Sequence, residues 1–140
     1  MSAAADSVAL DTSAAVPYLM VSHPAHLATR RHVAGRTVRL TTRSLAETYS
    51  VLTRLPGDAR VKPADAAAVL AANFEDPIAP RLEVSGNLPA VLAPLGVAGG
   101  AVYDALVGLA ARAAGFVLIT RDARAIPTYT AVGATNEIAG

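Results

Sequence analysis

The sequence predicts an α/β fold in which a central parallel sheet is covered on both faces by helices. Three observations carry that prediction. Short strand-like runs recur at residues 8–10, 37–40 and 116–119, the first and last wholly apolar and the second, TVRL, partly alternating. Segments with helical spacing of apolar residues lie between them, and each run stops at polar residues: Asp11, then Thr41 and Thr42, then Thr120, Arg121 and Asp122. Strands alternating with helices over short links call for parallel pairing with helices on both sides.

In chain order, Val8, Ala9 and Leu10 form a first strand that runs into Asp11 and the capping residues Thr12 and Ser13. Val16, Leu19 and Met20 define a helix with Pro17 in its first turn, closing before His23 and Pro24. A second helix runs over 25–33 to a stop at Gly35, and a second strand comes next at 37–40. Leu45, Thr48, Tyr49, Leu52 and Leu55 share one face of a helix over 44–55, ended by Pro56 and Gly57. Pro63 opens another helix, with Ala66, Val69 and Leu70 inward and Asn73 at its end. Prolines and glycines crowd the passage 76–100, which leaves room for a brief extended piece at 82–84 and a short helix from Leu88.

Val102, Leu106, Leu109 and Ala113 recur at helical spacing, so a helix begins near Gly99 and Gly100 and stops at Gly115. Asp104 falls in its first turn, roughly opposite the apolar stripe. Residues 116–119 are apolar without a break and read as a strand buried on both faces. One turn precedes Pro127, and 130–132 reads as an edge strand. The expectation is one domain over 1–140 with a sheet of four to five strands, its ends 1–7 and 136–140 loose.

A chain of 140 residues is long enough for a core without staples, since at ~150 residues about 68 to 70 per cent of the extended surface is buried. With no cysteine, neither a disulfide framework nor a thiolate zinc site is available. The uncharged stretch 84–103 is interrupted by Pro89, Pro94 and glycines, and the amino terminus lacks a basic start, so a cytoplasmic protein without a membrane span is expected. Net charge is only +1, yet Arg30, Arg31, Arg36, Arg39, Arg43, Arg54 and Arg60 crowd one region with only Glu47 and Asp58 for acids. Phosphate binding is permitted there, although arginines of this kind usually just solvate helix faces.

Four acids stand at corresponding places. Asp11 and Asp122 come directly after strands, and Glu47 and Asp104 are expected in the first turns of helices that begin near strand ends. Open α/β sheets bind ligands in the crevice beyond those ends. Each acid has a plainer role: Ser44 and Glu47 have capping-box spacing, Asp104 suits a helix amino terminus, and Asp11 or Asp122 can cap the next helix. All four in register, from eleven acids in total, favour a cluster. Clustered carboxylates repel unless some are protonated or a divalent cation neutralises them, and hard oxygen donors select Mg²⁺ or Mn²⁺. Such an ion lowers the pKa of bound water and offsets phosphate charge, as phosphodiester hydrolysis requires.

With these pieces assembled, nearly the whole chain resembles a PIN-domain ribonuclease, more narrowly a VapC-type toxin of a bacterial toxin–antitoxin pair. The matching segments are VALDTSA with Asp11, SLAETYSVLTRL with Glu47, VYDALVGLAA with Asp104 and LITRDARA with Asp122. The resemblance implies a PIN-like three-layer sandwich in which these four residues hold one or two Mg²⁺ or Mn²⁺ ions, Asp11 and Asp104 most directly. It implies an endoribonuclease that leaves a 5′ phosphate and a 3′ hydroxyl on tRNA, rRNA or mRNA. It also implies a homodimer and a cognate antitoxin in a hetero-oligomer, with Ser13 and Thr120 hydrogen-bonded behind the carboxylates. The passage 76–100 matches no motif of that family.

Other readings are open or closed by single residues. A haloacid-dehalogenase-type phosphatase needs an acid where Ser13 stands, and a receiver domain needs a late lysine where the chain has only Lys62. His23, His26 and His32 are candidates for a metal-independent ribonuclease, and His23 with His26 for a metal pair lacking a third ligand. A catalytically inactive PIN-like protein-interaction module, its acids serving as caps, is the remaining rival.

Overall fold

Four strands, β1 (Ser7–Leu10), β2 (Thr37–Leu40), β3 (Val117–Thr120) and β4 (Asn136–Ile138), pair in the order β2-β1-β3-β4. Every pair is parallel, with Leu10 opposite Leu40 on one side and Ile119 on the other. These relations come from a computed structural model that describes residues 6–140.

Side chains alternate across the sheet, as a strand period of two requires. Val8, Leu10, Val117 and Ile119 join one core, whereas Ala9 and Leu118 join the other. The first core is closed by α1 (Thr12–Leu19), α3 (Thr42–Thr53) and α4 (Pro63–Asn73), with Val33 just after α2 (His26–His32). The second is closed by α5 (Leu82–Ser85), α6 (Leu88–Leu92), α7 (Ala101–Ala114) and α8 (Ile126–Ala131). The result is the expected three-layer α/β sandwich with a four-stranded parallel centre. Among the described residues, no helix is long and apolar enough to cross a membrane.

Several expectations need correction. Residues 82–84 are helical, not extended, because four residues are too few to register a helical period. Residues 130–132 lie in and just beyond α8: Pro127 is pre-organised for a helix start, and Tyr129 is 1% exposed in the second core. The edge strand is β4 instead, so 136–138 is no tail. Glu137 holds it to the α2 side through His32 at 3.0 Å and Arg36 at 3.2 Å. Ser7 likewise belongs to β1, while residues 1–5 of the expected amino-terminal tail lie outside the described residues. Pro17 sits in the second turn of α1, where the carbonyl of Ser13 consequently lacks its helical N–H.

One close approach ties α7 to α8. A Cβ added at Gly108 would lie 2.7 Å from Val132 Cγ2 and 3.4 Å from the Tyr129 ring. Gly108→Ala should therefore cost about 1–3 kcal/mol of stability through overpacking, measured as a lower urea midpoint with an unchanged m-value.

Candidate active site

Asp11 is where the site begins. Its position is set by β1: the apolar run ends, and the next residue takes an extended conformation and caps α1 by accepting from the Ala14 N–H at 3.2 Å. The residue is only 5% exposed. Ser13 Oγ donates to its Oδ1 at 2.6 Å and the Tyr129 hydroxyl to its Oδ2 at 2.7 Å. A carboxylate offers about four acceptor positions, so Asp11 is fixed from three directions and retains room for a further partner.

Asp122 comes just after β3, where its carboxylate accepts from the Arg124 N–H at 3.0 Å and meets Arg124 Nε at 3.2 Å. Thr120 and Ser13 bind the two strand ends together: their hydroxyls lie 3.3 Å apart, Ser13 Oγ accepts from the Arg121 N–H and Thr120 Oγ1 from the Asp122 N–H. The expected supporting role of Ser13 is direct, and that of Thr120 is to set the turn that presents Asp122. Asp104 stands in the first turn of α7 as anticipated.

Glu47 reaches the site by a different route from the one expected. Thr41 caps α3 by accepting from the Ser44 N–H, so Ser44 is not the cap, no Ser44–Glu47 capping box forms, and Glu47 lies in the second turn. It pairs instead with Arg43, one turn back, at 3.1 Å.

All four acids line one polar cleft of about 340 Å³ beyond the carboxyl ends of β1 and β3, together with His23, Tyr103 and Tyr129. A larger and mainly apolar hollow of about 630 Å³ lies between α3 and α4. It holds none of the four acids, so chemistry and not size identifies the site.

Burial pushes the Asp11 carboxyl above its usual value of 3.8, against the pull of the Ser13, Thr120 and Tyr129 hydroxyls and the Ala14 N–H. Asp104 is also raised, by desolvation first and then by the charges of Asp122, Asp11 and Glu47, with Arg43 opposing. The four acids, which line one cleft, thus stand close enough for the charges of three to act on the fourth. Tyr129 is pushed well above the ordinary phenol value by burial and by Asp11, so it remains a hydrogen-bond donor.

The donor set is oxygen only, which suits Mg²⁺ or Mn²⁺. Among the described residues, no three His, Asp or Glu side chains already form a cage, since Glu47 is turned to Arg43 and Asp122 to Arg124. The set fits a divalent cation by chemistry and charge, with Asp11 and Asp104 the acids not engaged by an arginine ion pair.

The other candidates separate. His26 meets the Pro17 carbonyl at 2.8 Å and His32 meets Glu137, so both serve the fold. His23 borders the cleft, where its Nδ1 accepts from the Ala25 N–H, and among the described residues it joins no group of three side chains able to hold a metal ion. Tyr129 and Tyr103 are site residues that the sequence reading passes over. The clue to Tyr129 is chemical: a tyrosine buried in an apolar segment needs a partner for its hydroxyl.

A parallel α/β sandwich with four carboxylates beyond the strand ends defines a protein with an acid-lined centre, and comparison with known proteins makes the class specific. The PIN domain model matches residues 8–129. Ribonuclease VapC27 of Mycobacterium tuberculosis (strain ATCC 25618 / H37Rv) is 49% identical over 126 residues, covering 90% of this chain and 92% of the relative. Ribonuclease VapC40 of the same species (strain CDC 1551 / Oshkosh) is 43% identical over 123 residues, covering 87% and 91%. A chain from the structure of FitAB bound to an IR36 DNA fragment superposes with a TM-score of 0.63 and covers 94% of both chains; at 16% identity this likeness is one of fold. The chain belongs to the PIN-domain family, among its VapC-type ribonucleases.

The raised Asp104 has a consequence for stability. Folding favours its protonated form, so the resulting stability is present below pH 3.8 and is lost as pH rises through the higher folded value. At neutral pH without metal, Asp104→Asn should melt higher than the parent, by no more than about 4 °C because a partly exposed charge is screened. The gap should close below about pH 4, as read from melting curves in EDTA.

Proposed function

We propose that the protein is a divalent-metal-dependent endoribonuclease and the toxin of a bacterial toxin–antitoxin pair. The observation that carries this reading is the convergence of Asp11, Glu47, Asp104 and Asp122, from four separate segments, on one cleft. The VapC relatives, named as ribonucleases, support RNA as the substrate.

A divalent cation held by Asp11 and Asp104, with Glu47 and Asp122 completing the set, would lower the pKa of a bound water and offset charge on the scissile phosphate. Ser13 and Tyr129 fix the Asp11 carboxylate, so its orientation costs little at the moment of binding. Arg43 sets the resting position of Glu47, and Arg124 does so for Asp122. Tyr103 lines the cleft and is half-exposed, so its ring can meet a substrate that enters from solvent. Under the same reading the protein acts in the cytoplasm, cleaves tRNA, rRNA or mRNA, and assembles as a homodimer and with its antitoxin. The apolar hollow between α3 and α4 is a surface suited to such a protein partner.

The rival is a PIN-like interaction module without activity, and one observation favours it: Asp11 and Asp122 do cap the segments that come after them. Cleavage of structured RNA separates the two. EDTA should abolish cleavage and millimolar Mn²⁺ restore it, and Asp11→Ala or Asp104→Ala should lower it by at least about a hundredfold with the fold intact. Most activity surviving in both variants would return attention to His23. Mn²⁺ should also raise the melting temperature of the parent, by neutralising the acids, and leave that of Asp104→Ala much less changed.

A further inference from the structure

The basic region 30–62 divides once its contacts are known. Arg30 lies 3.7 Å over the Tyr18 ring and donates to the Tyr18 carbonyl; Arg36 pairs with Glu137, Arg39 with Glu75, and Arg60 donates to the Leu55 carbonyl. Those four serve the fold. Arg43 and Arg54 are placed differently, along a second hollow of about 320 Å³ that also contains Glu47 and Ser50. Glu47 lines both this hollow and the acid cleft, so the two adjoin.

At that junction stands Tyr103, a large aromatic side chain that is 52% exposed and lines the acid cleft next to Asp104. The Arg43 guanidinium lies 4.5 Å from its ring centre. Arg43 Nε is buried and without a hydrogen-bond partner among the described residues, and its terminal nitrogen meets only one carboxylate within ion-pair distance, Glu47. An exposed ring backed by a guanidinium plane, at the mouth of a phosphodiester-cleaving site, has the chemistry that unstacked bases seek.

We propose that Tyr103, backed by Arg43, is a stacking platform for one nucleobase of single-stranded RNA beside the scissile phosphate, and that Arg54 takes a neighbouring backbone phosphate. This rests on the nuclease reading of the cleft and assigns its substrate a single-stranded segment at the cut. Stacking tolerates any base, because each has a π-face. The platform therefore fixes where the strand lies, and Tyr103 acts as a positioning and binding residue.

The test uses a single-stranded RNA oligonucleotide carrying 2-aminopurine, titrated in EDTA so that binding is read apart from turnover. The parent protein should quench the probe on binding. Tyr103→Leu should lose the quench and weaken binding roughly ten- to a hundredfold, the range that base–aromatic stacking spans, while Tyr103→Phe keeps both. Arg54→Gln should make the slope of log affinity against log salt shallower by about 0.7, as loss of one single-strand phosphate contact requires. Melting curves establish that each variant is folded. No quench with the parent, or equal quench and affinity for Tyr103→Leu, overturns the platform; an unchanged salt slope for Arg54→Gln overturns the phosphate contact. Quenching by a parent that never cleaves RNA with Mn²⁺ keeps the platform and removes the nuclease reading, whereas cleavage with a fully binding Tyr103→Leu does the reverse.

Discussion

A cluster of carboxylates held partly out of water at the end of a sheet is the constraint around which this molecule is built. Four carboxylates share one small cleft; burial raises Asp11 and Asp104 from the usual 3.8, and at Asp104 the charges of the other three add to it. Left to itself the chain would move them apart. It is prevented by features that are strong elsewhere: β1 is buried between β2 and β3, which fixes Asp11, and α7 packs on the far core so closely that a Cβ at 108 would lie 2.7 Å from Val132. The fold thus holds in place a local arrangement whose desolvation and crowding of charge are unfavourable by themselves, and stability elsewhere offsets that cost.

Asp11 shows how one residue can carry structural and chemical duties together. It caps α1 and also receives hydrogen bonds from Ser13 and Tyr129. The capping role and the candidate ligand role are therefore not alternatives: capping orients the side chain, and the remaining acceptor capacity is open to a ligand. The same holds for Asp122, whose cap to Arg124 presents it at the rim.

Sheet and long helices are legible in the sequence because their signals span many residues. The run 116–119 and the helical spacing before it place Asp104 and Asp122, although the stripe Val102, Leu106, Leu109 and Ala113 is only partly the buried face: Leu109 is buried, while Ala113 is exposed and Ala105, Val107 and Ala111 pack inward. Glu47 is reached for a partly wrong reason. Thr41, Thr42 and Ser44 are all competent caps, and the sequence alone cannot choose among them; the extended backbone that ends β2 selects Thr41. The β-branched residues near 130 suggest a strand, but burial of Tyr129 against α7 overrides that local preference. Tyr129 and Tyr103 escape the sequence reading because their roles depend on distant partners, Asp11 at a separation of 118 residues and Arg43 on another helix. No short window along the chain contains both members of either pair.

The hydrogen bond from Tyr129 to Asp11 also bears on biosynthesis. Translation delivers Asp11 early, whereas Asp104, Asp122, Tyr129 and the strand that completes the sheet leave the ribosome late. Amino-terminal segments can begin to fold during synthesis, but this constellation cannot close until the carboxyl-terminal portion has emerged. An amino-terminal fragment that stops short of Tyr129 would accordingly hold Asp11 at the end of β1 without the hydroxyl that fixes its carboxylate.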